Sequence, residues 1–151
     1  MTDIHIDDFY KDVASCFLIL YKSFPRKIIL YTEDICGEDH PDEFGLHSER
    51  FLSGFSTMVW LGEQGYLRYD APIKQEGLDQ AVLTERGFLL LSSRSDLNFG
   101  EAVETDPESG LPPSVLEQSH SNIAQLRKAV KSRSSIMIGQ CVQYLLSRPG
   151  A

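Results

Sequence analysis

No stretch of the chain is apolar for as long as a bilayer-spanning helix requires. The longest aliphatic and aromatic run is Cys16-Phe17-Leu18-Ile19-Leu20-Tyr21, against the roughly 20 residues needed to cross a membrane. The N-terminus carries Asp3, Asp7 and Asp8 and has no basic segment ahead of an apolar one, which excludes a secretory-signal pattern and sets the expectation of a cytoplasmic protein with no membrane partner. Cysteine is scarce. Cys16, Cys36 and Cys141 are odd in number and far apart, so a disulfide framework is not expected and reduced core thiols are. Basic residues are also short: 14 Lys and Arg against 22 Asp and Glu, for a net charge of −8. Residues 1–50 hold five Lys/Arg and eleven Asp/Glu, whereas residues 111–151 hold five and one. An acidic body of this kind lacks the clustered cations that phosphate binding needs, while its basic tail suits packing on that body or on a partner.

Catalytic and cofactor patterns are missing as well. There is no phosphate-cradling glycine loop of the P-loop or dinucleotide type. Gly54-Phe55-Ser56-Thr57-Met58 begins like a nucleophile elbow but lacks the second glycine and lies in a helical pattern. Carboxylates are plentiful, yet they fall in loops and on solvated faces where nothing tunes them. No enzyme and no cofactor are expected. Cys36, His40 and His47 stand among acidic residues and form the weak metal candidates; they lack a paired Cys or a His-x3-His helix, so no metal site is assigned.

What is present is a core. The apolar content of 42% over 151 residues suffices for one domain with an appendage, without staples. Phe9, Val13, Cys16, Phe17, Leu20 and Phe24 form one stripe of a first helix that Asp7 can cap and that ends near Ser23. Asp8, Lys11, Asp12, Ser15 and Lys22 fall on its solvated side. Pro25 then opens a second helix over residues 25–36, carried by Ile28, Ile29 and Ile35 and stopped by Gly37. Residues 38–45 are acidic and broken by Pro41 and Gly45, a loop. Ser48 caps a third helix over residues 48–64, with Phe51, Leu52, Phe55, Met58 and Val59 at helical spacing and Gly65 as its stop. Residues 66–69 and 81–83 read as short paired strands around a turn at 71–79. Thr84 caps a fourth helix over residues 85–94. Gly87 within it costs about 1 kcal/mol of helix propensity, which points to close packing on another backbone.

Residues 95–113 are rich in Ser, Asp, Glu, Gly and Pro and read as a linker. A helical stretch follows over residues 114–147, which Ser132-Arg133-Ser134-Ser135 can divide. Its apolar face is too wide for solvent. Leu116, Ile123, Leu126, Val130, Met137, Cys141 and Leu145 are the candidates for a homodimer interface; packing onto the chain's own domain is the alternative.

The run Trp60-Leu61-Gly62-Glu63-Gln64-Gly65-Tyr66-Leu67, followed by Val82-Leu83-Thr84-Glu85-Arg86-Gly87-Phe88, resembles the winged helix-turn-helix superfamily. The resemblance covers residues 9–91 and reaches the architecture, not a named subfamily. It implies a mainly α protein with a small β-hairpin (α+β): a winged-helix domain over residues 1–94, the linker, and a C-terminal helical dimerisation segment over residues 114–151. It also implies that the third helix enters the major groove of double-stranded DNA while the wing meets backbone. Ser48, Arg50, Ser53 and Thr57 would then be DNA contacts, with Glu49 and Ser56 beside them, and Arg68, Lys74 and Gln75 would act from the wing. The expected function is a dimeric DNA-binding transcriptional regulator. The alternative is a winged-helix module that binds another protein and no DNA, since Arg50 is the only base of the third helix.

Overall fold

The computed structural model describes residues 3–97 and 120–148. One long helix, α1 (Ile4–Ser23), lies at the centre. Val13, Ala14, Cys16, Phe17 and Leu20 bury it on the side the stripe predicts. Its N-cap position is Asp3, four residues ahead of the expected Asp7. Strand β1 (Ile28–Tyr31) and the short helix α2 (Thr32–Cys36) follow. This corrects the single helix expected over residues 25–36. Ile28 pairs with Ala81, and Leu30 with Leu78, so the aliphatic run is recruited as a strand by a partner some fifty residues away. Only the last turn before Gly37 remains helical.

Helix α3 (Glu49–Glu63) begins where Ser48 accepts a hydrogen bond from the Phe51 amide at 3.2 Å. Satisfying that otherwise orphaned amide fixes the helix start. Gly65, at φ 83°, turns the chain in a left-handed conformation that costs glycine little. Then come β2 (Leu67–Arg68), β3 (Ala71–Ile73) and β4 (Gly77–Leu83). All pairing is antiparallel: β4 is flanked by β1 on one side and by β2 and β3 on the other. Leu67 faces Leu83 and Arg68 faces Val82 as the expected paired strands, and the turn segment 71–79 is itself a hairpin with Pro72 facing Leu78.

Helix α4 (Glu85–Ser92) starts at Thr84, whose hydroxyl accepts from the Gly87 amide and donates to the Gly65 carbonyl at 2.5 Å. A Cβ on Gly87 would stand 2.1 Å from the Tyr66 carbonyl oxygen. The glycine is what lets α4 close on the chain leaving α3. Beyond α4, residues 93–95 run antiparallel to 120–122: the Ser95 amide donates to the His120 carbonyl at 2.7 Å and the Asn122 amide to the Ser93 carbonyl at 2.8 Å.

Two helices close the described chain, α5 (Asn122–Ser132) and α6 (Ser135–Ser147). Arg133, at φ 59°, makes the break between them, and Ser134 caps α6 by accepting from the Met137 amide at 3.2 Å. Both pack on α1. Ile123, Leu126, Cys141 and Leu145 are buried in the same cluster as Phe17, Met58 and Leu83. Gly139 of α6 rests against the Tyr10 ring, and Gln143 donates to the Tyr10 hydroxyl at 2.7 Å. The described residues thus share one hydrophobic core, an α+β arrangement of helices around a small antiparallel sheet.

Candidate functional site

The expected DNA contacts do not form one free face. Ser48 is occupied as the cap of α3, and its hydroxyl also donates to Asp39 at 2.7 Å. Thr57 is buried, with its hydroxyl returned to the Ser53 carbonyl at 2.9 Å. Ser53, Glu49 and Ser56 are exposed.

Arg50 is the decisive residue. Its guanidinium forks onto Asp12 of α1, Nη1 donating to Oδ2 at 2.8 Å and Nη2 to Oδ1 at 2.7 Å. Its Nε lies 3.5 Å from an Asp8 carboxylate oxygen. Asp12, expected on the solvated side of α1, is instead buried, its side chain 1% exposed against 35% for Arg50. Bidentate pairs of this geometry are among the stronger charge-assisted contacts. Burial pushes the Asp12 carboxyl up from its ordinary value, with Arg50 opposing that rise. The hydrogen bonds to Asp12 push the Arg50 guanidinium up. The one cation of α3 is therefore held against α1.

Beside this pair runs an open groove of about 450 Å³ between the N-terminal half of α1 and α3. Ile6, Phe9 and Leu52 line it together with the polar His5, Asp12, Glu49 and Ser56. Ile4 is 70% exposed one turn away.

The hairpin tip is anchored rather than free. The Thr32 hydroxyl donates to the Gln75 carbonyl at 2.9 Å, and the Thr32 amide to the Glu76 carbonyl at 2.9 Å. The side chains of Arg68, Lys74 and Gln75 are exposed, and Lys74 takes a left-handed φ of 50° in the turn. His47 fastens the acidic loop to this tip: Nδ1 lies 2.6 Å from Asp39 and Nε2 2.9 Å from Glu76, with the ring stacked on Phe51 at 4.3 Å. The Asp39 hydrogen bond raises the His47 pKa. Both ring nitrogens are thus taken by carboxylates. Cys36 donates to the Thr32 carbonyl and His40 is exposed, and among the described residues no group of three or more His, Cys, Asp or Glu is arranged to hold a metal ion.

The dimer candidates fall into two groups. Ile123, Leu126, Cys141 and Leu145 are buried within this chain, and Val130 and Met137 are half-buried against the same core. Leu116 lies outside the described residues. Much of the apolar face of the C-terminal helices packs on α1 of the same chain, while Ile136 stays 74% exposed. Among the described residues no helix is long and apolar enough to cross a membrane.

Sequence reasoning missed Asp12 as a site residue. A carboxylate one residue from Val13 of the apolar stripe is the signal that was there, but its partner is 38 positions away. No family model, no curated protein and no solved structure matches the chain.

Proposed function

We propose that the chain is a winged-helix scaffold that binds another protein through the groove between α1 and α3. The order of elements supports the scaffold: α3, a glycine turn, a hairpin returning through β4, and α4. The Asp12–Arg50 fork is the observation that carries the choice of partner. Affinity for DNA is dominated by neutralised phosphates, and α3 offers no unpaired cation for them. What it offers instead is a groove lined by Ile6, Phe9 and Leu52 together with Asp12 and Glu49, beside an acidic N-terminal helix. The complementary partner is an amphipathic helix with apolar residues at i, i+3/i+4 spacing and Lys or Arg on its flanks.

The test is fluorescence anisotropy with a labelled amphipathic Leu/Lys helical peptide, set beside labelled mixed-sequence duplex DNA across a salt series. The expected result is saturable peptide binding, weakened about tenfold by a steric block at Ser56→Arg, and no duplex binding at low salt. Peptide binding that ignores Ser56→Arg, or no peptide binding, overturns the groove. Steep salt-dependent duplex binding reduced by Arg68→Ala or Lys74→Ala replaces it with DNA recognition.

A further inference from the structure

Strand β1 is an edge of the sheet. Among the described residues it pairs with β4 on one side and with no strand on the other. The Thr32 amide donates to the Glu76 carbonyl at 2.9 Å, and Leu30 faces Leu78 in the same register. Backbone groups of successive residues point alternately to the two sides of an antiparallel strand. Those of Leu30 therefore point toward β4, and those of Ile29 and Tyr31 point away from it. No backbone partner meets Ile29 or Tyr31 on that outer side among the described residues. An edge left in this state is a template for a further strand.

The side chains along the edge are apolar. Ile29 and Tyr31 are 39% and 47% exposed, while Leu30 between them is buried in the core. Tyr31, Gly77 and Ile73 form one row across β1, β4 and β3. Ile73 is exposed like Tyr31, so an apolar band crosses the outer face of the sheet and runs to the β1 edge.

Charge selects what can occupy that edge. Arg26 and Lys27 precede β1, and Glu33 and Asp34 follow it in the first turn of α2. All four are exposed, and none has a hydrogen bond or ion pair among the described residues. A strand that is basic at its start and acidic at its end repels a parallel copy of itself and attracts an antiparallel one. Antiparallel self-pairing is what a twofold axis produces, because such an interface uses the same patch on both subunits. The outward-pointing positions must meet one another. An axis through Leu30 satisfies this by setting Ile29 opposite Tyr31, where each pair exchanges both of its backbone hydrogen bonds. The same axis brings Lys27 beside Glu33. Moving it to Ile29 or Tyr31 loses that charge pair.

We propose that β1 pairs antiparallel with β1 of a second copy of the chain, joining two sheets into one across a twofold axis at Leu30. The surface is separate from the α1–α3 groove, and neither depends on the other. A contact built on one short strand is small, which places it among the weak and reversible interfaces.

The test is sedimentation velocity of the full chain from about 1 µM to about 500 µM. A reversible shift from monomer to dimer mass is expected. Lys27→Glu and Glu33→Lys, both at exposed positions, set like charges against each other and should each weaken the dimer about tenfold or more, with the thermal melt in place. An equimolar mixture of these two variants should dimerise again, since both charge pairs are then of opposite sign. A monomer at every concentration overturns the proposal, as does association that continues past the dimer, which a twofold contact cannot produce. So does a dimer unaffected by both variants, or a mixture that stays as weak as either variant alone.

Discussion

Removing Arg50 tests the central contact directly. Arg50→Met keeps the stem of the side chain and deletes the guanidinium, leaving the Asp12 carboxylate with its side chain 1% exposed and without its fork. Breaking a fully buried pair by taking away one partner costs about 3–5 kcal/mol. Arg50 itself is 35% exposed, so water already screens one side, and the expected cost falls to about 2–3 kcal/mol. Asp12→Asn removes the charge with the pairing and should cost about 1–2 kcal/mol. The double variant should cost less than the sum of the two by about 1 kcal/mol or more, because the buried charge that makes the first change severe is absent. The pH dependence has a definite sign. Burial holds the Asp12 carboxyl above its ordinary value, and Arg50 is the group that opposes this. Without Arg50 the folded-state value rises further. A carboxyl whose folded pKa exceeds its unfolded one binds protons more readily in the native state, so stability falls as pH rises from the unfolded value through the folded one. The deficit of Arg50→Met is therefore larger while the carboxyl is ionised and shrinks as pH drops toward the unfolded value. Urea unfolding of all four proteins at about pH 7 and about pH 4.5 measures both effects. Additivity within about 0.5 kcal/mol, or a deficit equal at the two pH values, would refute the reasoning.

Gly87→Ala should destabilise by about 2–4 kcal/mol, since its Cβ would lie 2.1 Å from the Tyr66 carbonyl oxygen; a gain of the roughly 1 kcal/mol that helix propensity favours would show that α4 does not close there. Leu145→Ala should cost about 2–5 kcal/mol in one cooperative urea transition, because Leu145 is buried in the common core; a second transition would separate α5 and α6 from it. His47 has a raised folded pKa owing chiefly to Asp39. Its contribution to stability is full below the unfolded value and lost as pH rises through the folded one, so His47→Asn should flatten the decline of the wild-type melting temperature above about pH 6.5. Parallel melting curves from pH 5.5 to 8.5 would remove that role.

The starts of α3 and α4 were legible because capping is local. Ser48 and Thr84 each accept from the amide three residues on, Phe51 and Gly87, and nothing distant decides this. Gly87 was legible for a similar reason: a residue that weakens a helix is tolerated where a side chain does not fit. Strand β1 was not legible. Pro25 and Gly37 bracket residues 25–36 like the ends of a helix, and Ile28-Ile29-Leu30-Tyr31 is apolar in a way that suits either structure. The deciding partner is β4, and backbone pairing with a remote strand leaves no trace in a local window. The C-terminal helices show the same limit. Their apolar faces announce that something must cover them, without saying whether it is α1 of the same chain or a second molecule.

Charge is where the difference between local and remote partners bears on function. On sequence alone Asp12 is one of several charged residues of α1, and Arg50 is the cation at the start of a helix that resembles a DNA reader. Each is unremarkable alone, and folding joins them at 2.7 Å. The join ties the cation of α3 to α1 and leaves the carboxylates Asp12 and Glu49 among the residues that line the groove. Arg86, Arg94 and Arg148 are likewise scattered through an acidic sequence, yet all three line one pocket. The one cation of α3 is taken up by Asp12, while Arg86 lies over the Tyr66 ring and Arg148 pairs with Asp96. Net charge predicts none of these contacts, and what each surface can attract is set by which charges remain unpaired after folding.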